Sequence, residues 1–118
     1  MTAPNIVNVV TITAKTALVA LTNSNANLLA NGAASNQVYK INNITFANYT
    51  GSVVTGTASV LRSSTTYYLV GAVSIPANST LVVSGKDTHF YLEEGDTIQG
   101  FAGANSSVSA IISYEIIS

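Results

Sequence analysis

The sequence predicts an all-β protein, an antiparallel β-sandwich of jelly-roll or immunoglobulin-like type with about eight strands. Three observations predict it. Apolar residues recur with period two, β-branched and aromatic residues are abundant, and turn-forming residues punctuate the chain at short, regular intervals. The segment 107–117 shows the period most cleanly. Val108, Ala110, Ile112, Tyr114 and Ile116 fall on one face, while Ser107, Ser109, Ser113 and Glu115 share the other with Ile111 and Ile117. Because successive strand side chains point to opposite faces, such a segment buries one side and wets the other. Val54, Gly56, Ala58 and Val60 alternate in the same way with Val53, Thr55, Thr57 and Ser59. No stripe of helical period is present.

Taken in order, strands are expected near 5–13 and 16–22, either separate or as one interrupted strand, and near 37–48, 52–62, 66–75, 79–85, 88–92, 97–102 and 107–117. Asn31-Gly32 offers the positive-φ positions of a hairpin turn, and Pro76 presets the corner Ile75-Pro76-Ala77-Asn78-Ser79. Ser84-Gly85-Lys86-Asp87 reads as a hairpin turn, and Glu93-Glu94-Gly95-Asp96 reverses the chain into Thr97-Ile98, with Gly95 supplying a left-handed residue. Asn42-Asn43 interrupts an alternating run and marks a bulge or bend. The polar stretch 23–36, anchored by Leu28 and Leu29, reads as a surface loop, or a short strand within one, and as a contact site.

A chain of 118 residues fits one domain, residues 1–118, with 1–8 as an extended N-terminal arm. Without cysteine it has neither disulfides nor thiolate chemistry. Only 8% of residues are charged and the net charge is −1, so no basic footprint for nucleic acid or a membrane surface exists. Met1-Thr2-Ala3-Pro4-Asn5 lacks the basic start of a signal peptide, and the apolar run Thr16–Leu21 is too short to span a bilayer. A surface of hydroxyls and amides near zero net charge favours association with copies or partners.

Chemistry is thin. The one histidine, His89, and the five acids Asp87, Glu93, Glu94, Asp96 and Glu115 give no spacing that singles out a nucleophile, base and orienter, so the chain is not read as an enzyme and no cofactor is expected. Asp87, Glu93, Glu94 and Asp96 are weak calcium candidates, as carboxylates gathered around turns, but they lack the spaced ligands of an EF-hand loop. Asn43-Ile44-Thr45, Asn48-Tyr49-Thr50, Asn78-Ser79-Thr80 and Asn105-Ser106-Ser107 match the glycosylation pattern, as chance provides in so Asn- and Ser-rich a chain. Tyr39, Tyr67, Tyr68, Tyr91 and Tyr114 lie within expected strands, where packing is a commoner role than sugar stacking.

Val73-Ser74-Ile75-Pro76-Ala77-Asn78-Ser79-Thr80-Leu81-Val82-Val83, then Phe90-Tyr91-Leu92-Glu93-Glu94-Gly95-Asp96-Thr97-Ile98, then Ile111-Ile112-Ser113-Tyr114-Glu115-Ile116-Ile117, with Val38-Tyr39-Lys40-Ile41-Asn42-Asn43-Ile44 upstream, resemble small virion structural proteins of tailed bacteriophages. The resemblance spans most of the chain from about residue 37 onward. It implies a capsid decoration (cement) protein, made in the host cytoplasm and placed on the capsid surface of the virion. Its implied partners are itself, as a homotrimer, and the major capsid protein. Interface candidates are then Pro4, Asn5, Ile6 and Val7 in the arm, which could add a strand to a neighbour, together with Leu28 and Leu29. A tail, neck or fibre module and a glycan-binding surface domain are the alternatives.

Overall fold

The structure is a computed structural model and describes residues 10–118. Among the described residues nine strands follow one another: β1 (Ile12–Ala20), β2 (Ala26–Ala30), β3 (Val38–Asn48), β4 (Val54–Arg62), β5 (Thr65–Ile75), β6 (Ser79–Ser84), β7 (Phe90–Leu92), β8 (Thr97–Ala102) and β9 (Val108–Ile117). A 3₁₀ turn, Lys86–Thr88, separates β6 from β7. No helix among the described residues is long and apolar enough to cross a membrane.

The strands form two antiparallel sheets, β1-β9-β3-β6 and β2-β8-β4-β5, with β7 also paired to β3. β6 lies beside residues 44–48 of β3 and β7 beside residues 39–41, so the two occupy one strand position with a side-step between them. Counted this way the sandwich has eight positions. The last strand returns between the first and third, and the eighth between the second and fourth. That is the double Greek key of a jelly roll, not the immunoglobulin order.

The core sits between the sheets. From β3 come Ile41, Ile44 and Phe46, and from β9 Val108, Ala110, Ile112 and Tyr114; β8 contributes Ile98 and Ala102, β4 contributes Val54 and Ala58, and Leu28, Ile75 and Leu92 complete it. Phe46 is fully buried and faces a hollow in the opposite sheet made by small residues. A Cβ on Gly56 would stand 3.0 Å from the Phe46 ring; one on Gly100 would stand 2.9 Å from Leu28 and 3.0 Å from the Thr57 carbonyl oxygen. Ala58 and Gly100 are register partners, so the hollow runs across β4 and β8.

The alternation of β9 holds from Val108 to Tyr114, but Ser107 and Ile117, expected on the wet side, are both buried. The Ser107 hydroxyl turns inward to donate to the Ala104 carbonyl at 2.7 Å. The β3 bulge falls at Asn42, between Ile41 and Asn43, and reverses the inward parity from Ile41 to Ile44. The expected strands 5–13 and 16–22 are continuous through Thr13–Thr16 as β1; residues 5–9 lie outside the described residues.

Two turn expectations are corrected, and the short strand expected as one reading of 23–36 is present. Asn31-Gly32 does not adopt the positive φ of a primed turn. Asn31 is instead buried, its amide donating to the carbonyls of Gln37 and Leu92, both at 3.0 Å. Ser84–Asp87 is not a hairpin, because β6 and β7 pair with β3 and not with each other. The 23–36 stretch holds β2, whose bulge at Leu28 turns both Leu28 and Leu29 toward the core. Gly95 does take the left-handed φ, +85°.

The β4–β5 hairpin, with Arg62 opposite Thr65, closes through Ser63 and Ser64 at φ 51° and 63°. Both residues of such a turn need positive φ, which Asn-Gly supplies with less strain. Replacing Ser63-Ser64 by Asn-Gly should raise the urea midpoint, with a gain of about 1 kcal/mol. Gly100→Ala should lower it by about 1–3 kcal/mol through overpacking, with an unchanged denaturant slope.

Candidate functional site

The acids named as weak calcium candidates are not gathered for a cation site. Asp96 follows the left-handed Gly95 and is carried inward at the start of β8, where its side chain is 2% exposed. Its Oδ1 accepts from Arg62 Nε at 2.8 Å and its Oδ2 from Arg62 Nη2 at 2.6 Å; Oδ2 also accepts the Glu93 backbone N–H at 2.8 Å. Glu93 reaches the same Nη2 at 3.0 Å from a solvent-exposed position. The hydrogen bond to Asp96 holds the Arg62 pKa above its ordinary value; partial burial opposes this, and the charges of Asp96 and Glu93 reinforce it. Glu94 accepts the Asn36 backbone N–H at 3.0 Å, and Asp87 sits apart in the exposed 3₁₀ turn. Among the described residues no three His, Cys, Asp or Glu are placed to hold a metal ion. The weak calcium candidates Asp87, Glu93, Glu94 and Asp96 are thus not brought together around one point: Asp96, the one acid drawn inward, already spends its oxygens on Arg62 and Glu93.

This cluster clasps one end of the sandwich, tying the end of β4 to the turn between β7 and β8. Asn31 reinforces it through the backbone, its N–H donating to the Asp96 carbonyl and its carbonyl accepting from Gly95 N–H, both at 2.9 Å. The opposite end is organised by Asn48. Its amide donates to the carbonyls of Ser52, Ile75 and Pro76, and its Oδ1 accepts from the N–H and hydroxyl of Thr50.

His89 is exposed, with Nδ1 3.2 Å from the Lys86 carbonyl and its ring edge-on to Tyr91. Among the described residues it makes no hydrogen bond or ion pair with a serine or acid side chain. Tyr39 and Tyr114 stack with centroids 5.4 Å apart. Burial, and secondarily the neighbouring Tyr39, pushes the Tyr114 pKa up. Tyr49, Tyr67, Tyr68 and Tyr91 are exposed. A cleft of about 260 Å³ is lined by Val60, Arg62 and Tyr67, with Arg62 already engaged by Asp96.

Of the interface candidates, Leu28 is buried in the core and offers no contact surface, while Leu29 is half-buried and packs against the core; the bulge in β2 is the reason. Pro4, Asn5, Ile6 and Val7 lie outside the described residues.

The surface that sequence reasoning largely missed is the outer face of the β1-β9-β3-β6 sheet. Leu18, Ile111, Thr45 and Val82 are register partners in one row across all four strands. Leu18 is 74% exposed, Val82 59% and Ile111 37%. Three strand spacings make the row about 14 Å long. Its neighbours are Ala20, Ser109, Ala47 and Thr80 on one side, and Thr16, Ser113 and Asn43 on the other. None of these side chains is charged. The first charges come one row further along, at Glu115 and Lys40. A shallow depression of about 340 Å³ lies along Leu18–Ala20 and Ser109–Ile111.

No family model matches the chain, and no curated protein matches it. Among solved structures, a chain of the Bacillus endospore appendages, described as forming a novel family of disulfide-linked pili, is similar to it over 91% of this chain and 87% of that one. The identity is 14% and the TM-score 0.39, a likeness too distant to carry an argument about function.

The alternation of β9 had placed Ile111 outside, but Leu18 stands in the run Ala17–Leu21, where no polar residue marks the face. Only the alternation of exposed Leu18 and Ala20 with half-buried Ala17 and Val19 shows which side is wet.

Asp96→Ala should cost about 2 kcal/mol, because the charged bonds to Arg62 and the cap on Glu93 N–H are lost together. Glu93→Ala, at an exposed pair, should stay within about 0.5 kcal/mol. Urea denaturation distinguishes the two, and millimolar calcium should leave the Tm of the unmodified chain where it was. The raised Tyr114 pKa has its own sign. The unfolded chain ionises this phenol first, so its contribution to stability is full below about pH 10 and is lost as pH rises through the folded value. Tyr114→Phe should flatten that alkaline decline in Tm.

Proposed function

We propose that the chain is a structural subunit of a virion, a decoration protein that binds the outside of a capsid shell and stabilises contacts between coat subunits. The observation that carries this reading is the uncharged stretch of three rows on the outer face of the β1-β9-β3-β6 sheet, with exposed Leu18, Ile111 and Val82 aligned in one of them. A row of this kind gains free energy when covered and sets up no charge repulsion against a neighbour. The resemblance of 38–44, 73–83, 90–98 and 111–117 to phage virion proteins supports the identity of the assembly. The neutral surface supports association over isolation. In this reading the apolar row rests on the coat, and the opposite sheet faces away from the shell.

The test is incorporation. Leu18→Glu combined with Val82→Lys changes two exposed side chains, so the Tm of the purified chain should stay within a few degrees of the unmodified one. The altered chain should fail to join particles that take up the unmodified chain in hundreds of copies. Unchanged incorporation would remove this face from the reading, and a dozen or fewer copies of the unmodified chain per particle would favour a tail or neck part over a shell protein.

A further inference from the structure

We propose that two copies of this chain pair edge to edge along β1, antiparallel about a twofold axis at Thr16, joining their β1-β9-β3-β6 sheets into one continuous sheet. The inference begins with the edges. Every open sheet ends in a row of unpaired backbone groups, and proteins blunt such edges with bulges, breaks, short strands or charges. Among the described residues, three of the four edges here are short, bulged or broken in the strand itself. β2 has five residues and bulges at Leu28. β5 carries two register shifts against β4 and a left-handed Ala72 at φ 49°. The β6 and β7 edge is broken by the 3₁₀ turn Lys86–Thr88.

β1 is different. Its nine residues run in unbroken register with β9, from Ile12 opposite Ile117 to Ala20 opposite Ser109. It contains no proline, no glycine and no positive φ. Lys15 is its one charge.

Which register a second copy takes follows from parity and charge. A twofold axis normal to the sheet keeps each side chain on its own face, so opposed residues share parity and the axis passes through a residue. Centring on Lys15 would set two ammonium groups side by side. Centring on Thr16, the midpoint of Ile12–Ala20, engages the whole strand and sets Lys15 against Ala17. It also lays Ile12, 58% exposed, against Ala20, and Leu18 against Ala14. Large meets small along the seam, and Thr16 meets itself, a favourable cross-strand pair. The seam continues the uncharged face already described, since Leu18 belongs to both. The contact is isologous and closes at two copies, whereas the resemblance to virion proteins implies three. It shares Leu18 with the functional reading and does not depend on that reading.

Because the chain has no cysteine, single cysteines report the register directly. Directly opposed antiparallel residues bring Cα atoms to about 4.5–5.5 Å, within disulfide reach. Under a glutathione redox buffer Thr16→Cys should cross-link to a two-chain species. Ile12→Cys alone should not, and Ile12→Cys combined with Ala20→Cys should. In sedimentation equilibrium the unmodified 12.2 kDa chain should reach twice its mass as concentration rises, and Leu18→Lys should return it to one chain with an unchanged Tm. A single-chain mass throughout, or equal cross-linking of Thr16→Cys and Ile12→Cys, overturns the pairing. If the chain stays single in solution yet enters particles in hundreds of copies, the edge pairing fails while the shell reading stands. A register-specific dimer that never enters particles gives the reverse result.

Discussion

Phe46 in its hollow is the contact on which the sandwich depends. Two sheets packed face to face need side chains that interdigitate, and here one large ring from β3 fills space that β4 and β8 leave open through Gly56, Ala58 and Gly100. The glycines are placed by that ring, since a methyl at either would press on it or on Leu28. Leu28 reaches the same hollow only because β2 bulges, so the irregularity of an edge strand is tied to the centre of the core. Ile75 touches Gly56 from the end of β5, just before Pro76 turns the chain across to the other sheet.

With so little charge, the ends of the sandwich are closed by neutral amides. Asn48 joins three carbonyls and two donors of Thr50 at one end, and Asn31 gathers Gln37, Leu92 and the β7–β8 turn at the other. Each supplies the hydrogen bonds that loop backbone leaves unmade, which is why both tolerate near-complete burial. Asp96 is the exception among the acids, and it is admitted because Arg62 meets both of its oxygens.

Much of this architecture was legible in the residues. β8 matched its expected bounds, β9 began one residue late, and the Asn42 bulge showed as a break in alternation. These features depend on local parity, which sequence carries. What was not legible depends on pairing between distant segments. Leu28-Leu29 looks like an anchor in a polar loop until β8 is laid beside it. Ser84–Asp87 has the composition of a hairpin turn, yet β3 is long enough to receive β6 and β7 in succession, so the chain steps sideways. Asp96 reads as one more solvated acid until Arg62, distant in sequence, is placed opposite. The apolar row was hidden for the same reason, being made of one residue from each of four strands.

The ion-paired cluster at Arg62 has a consequence for the medium in which the molecule works. Dissolved electrolyte weakens exposed charge pairs by screening, while strongly hydrated salts favour the withdrawal of apolar groups from water. Here the first effect has one partly sheltered target among the described residues and the second has an entire interior. Passage from dilute medium to concentrated sulfate or phosphate therefore leaves this sandwich at least as firm as before, and tightens whatever contact its bare leucine, isoleucine and valine make.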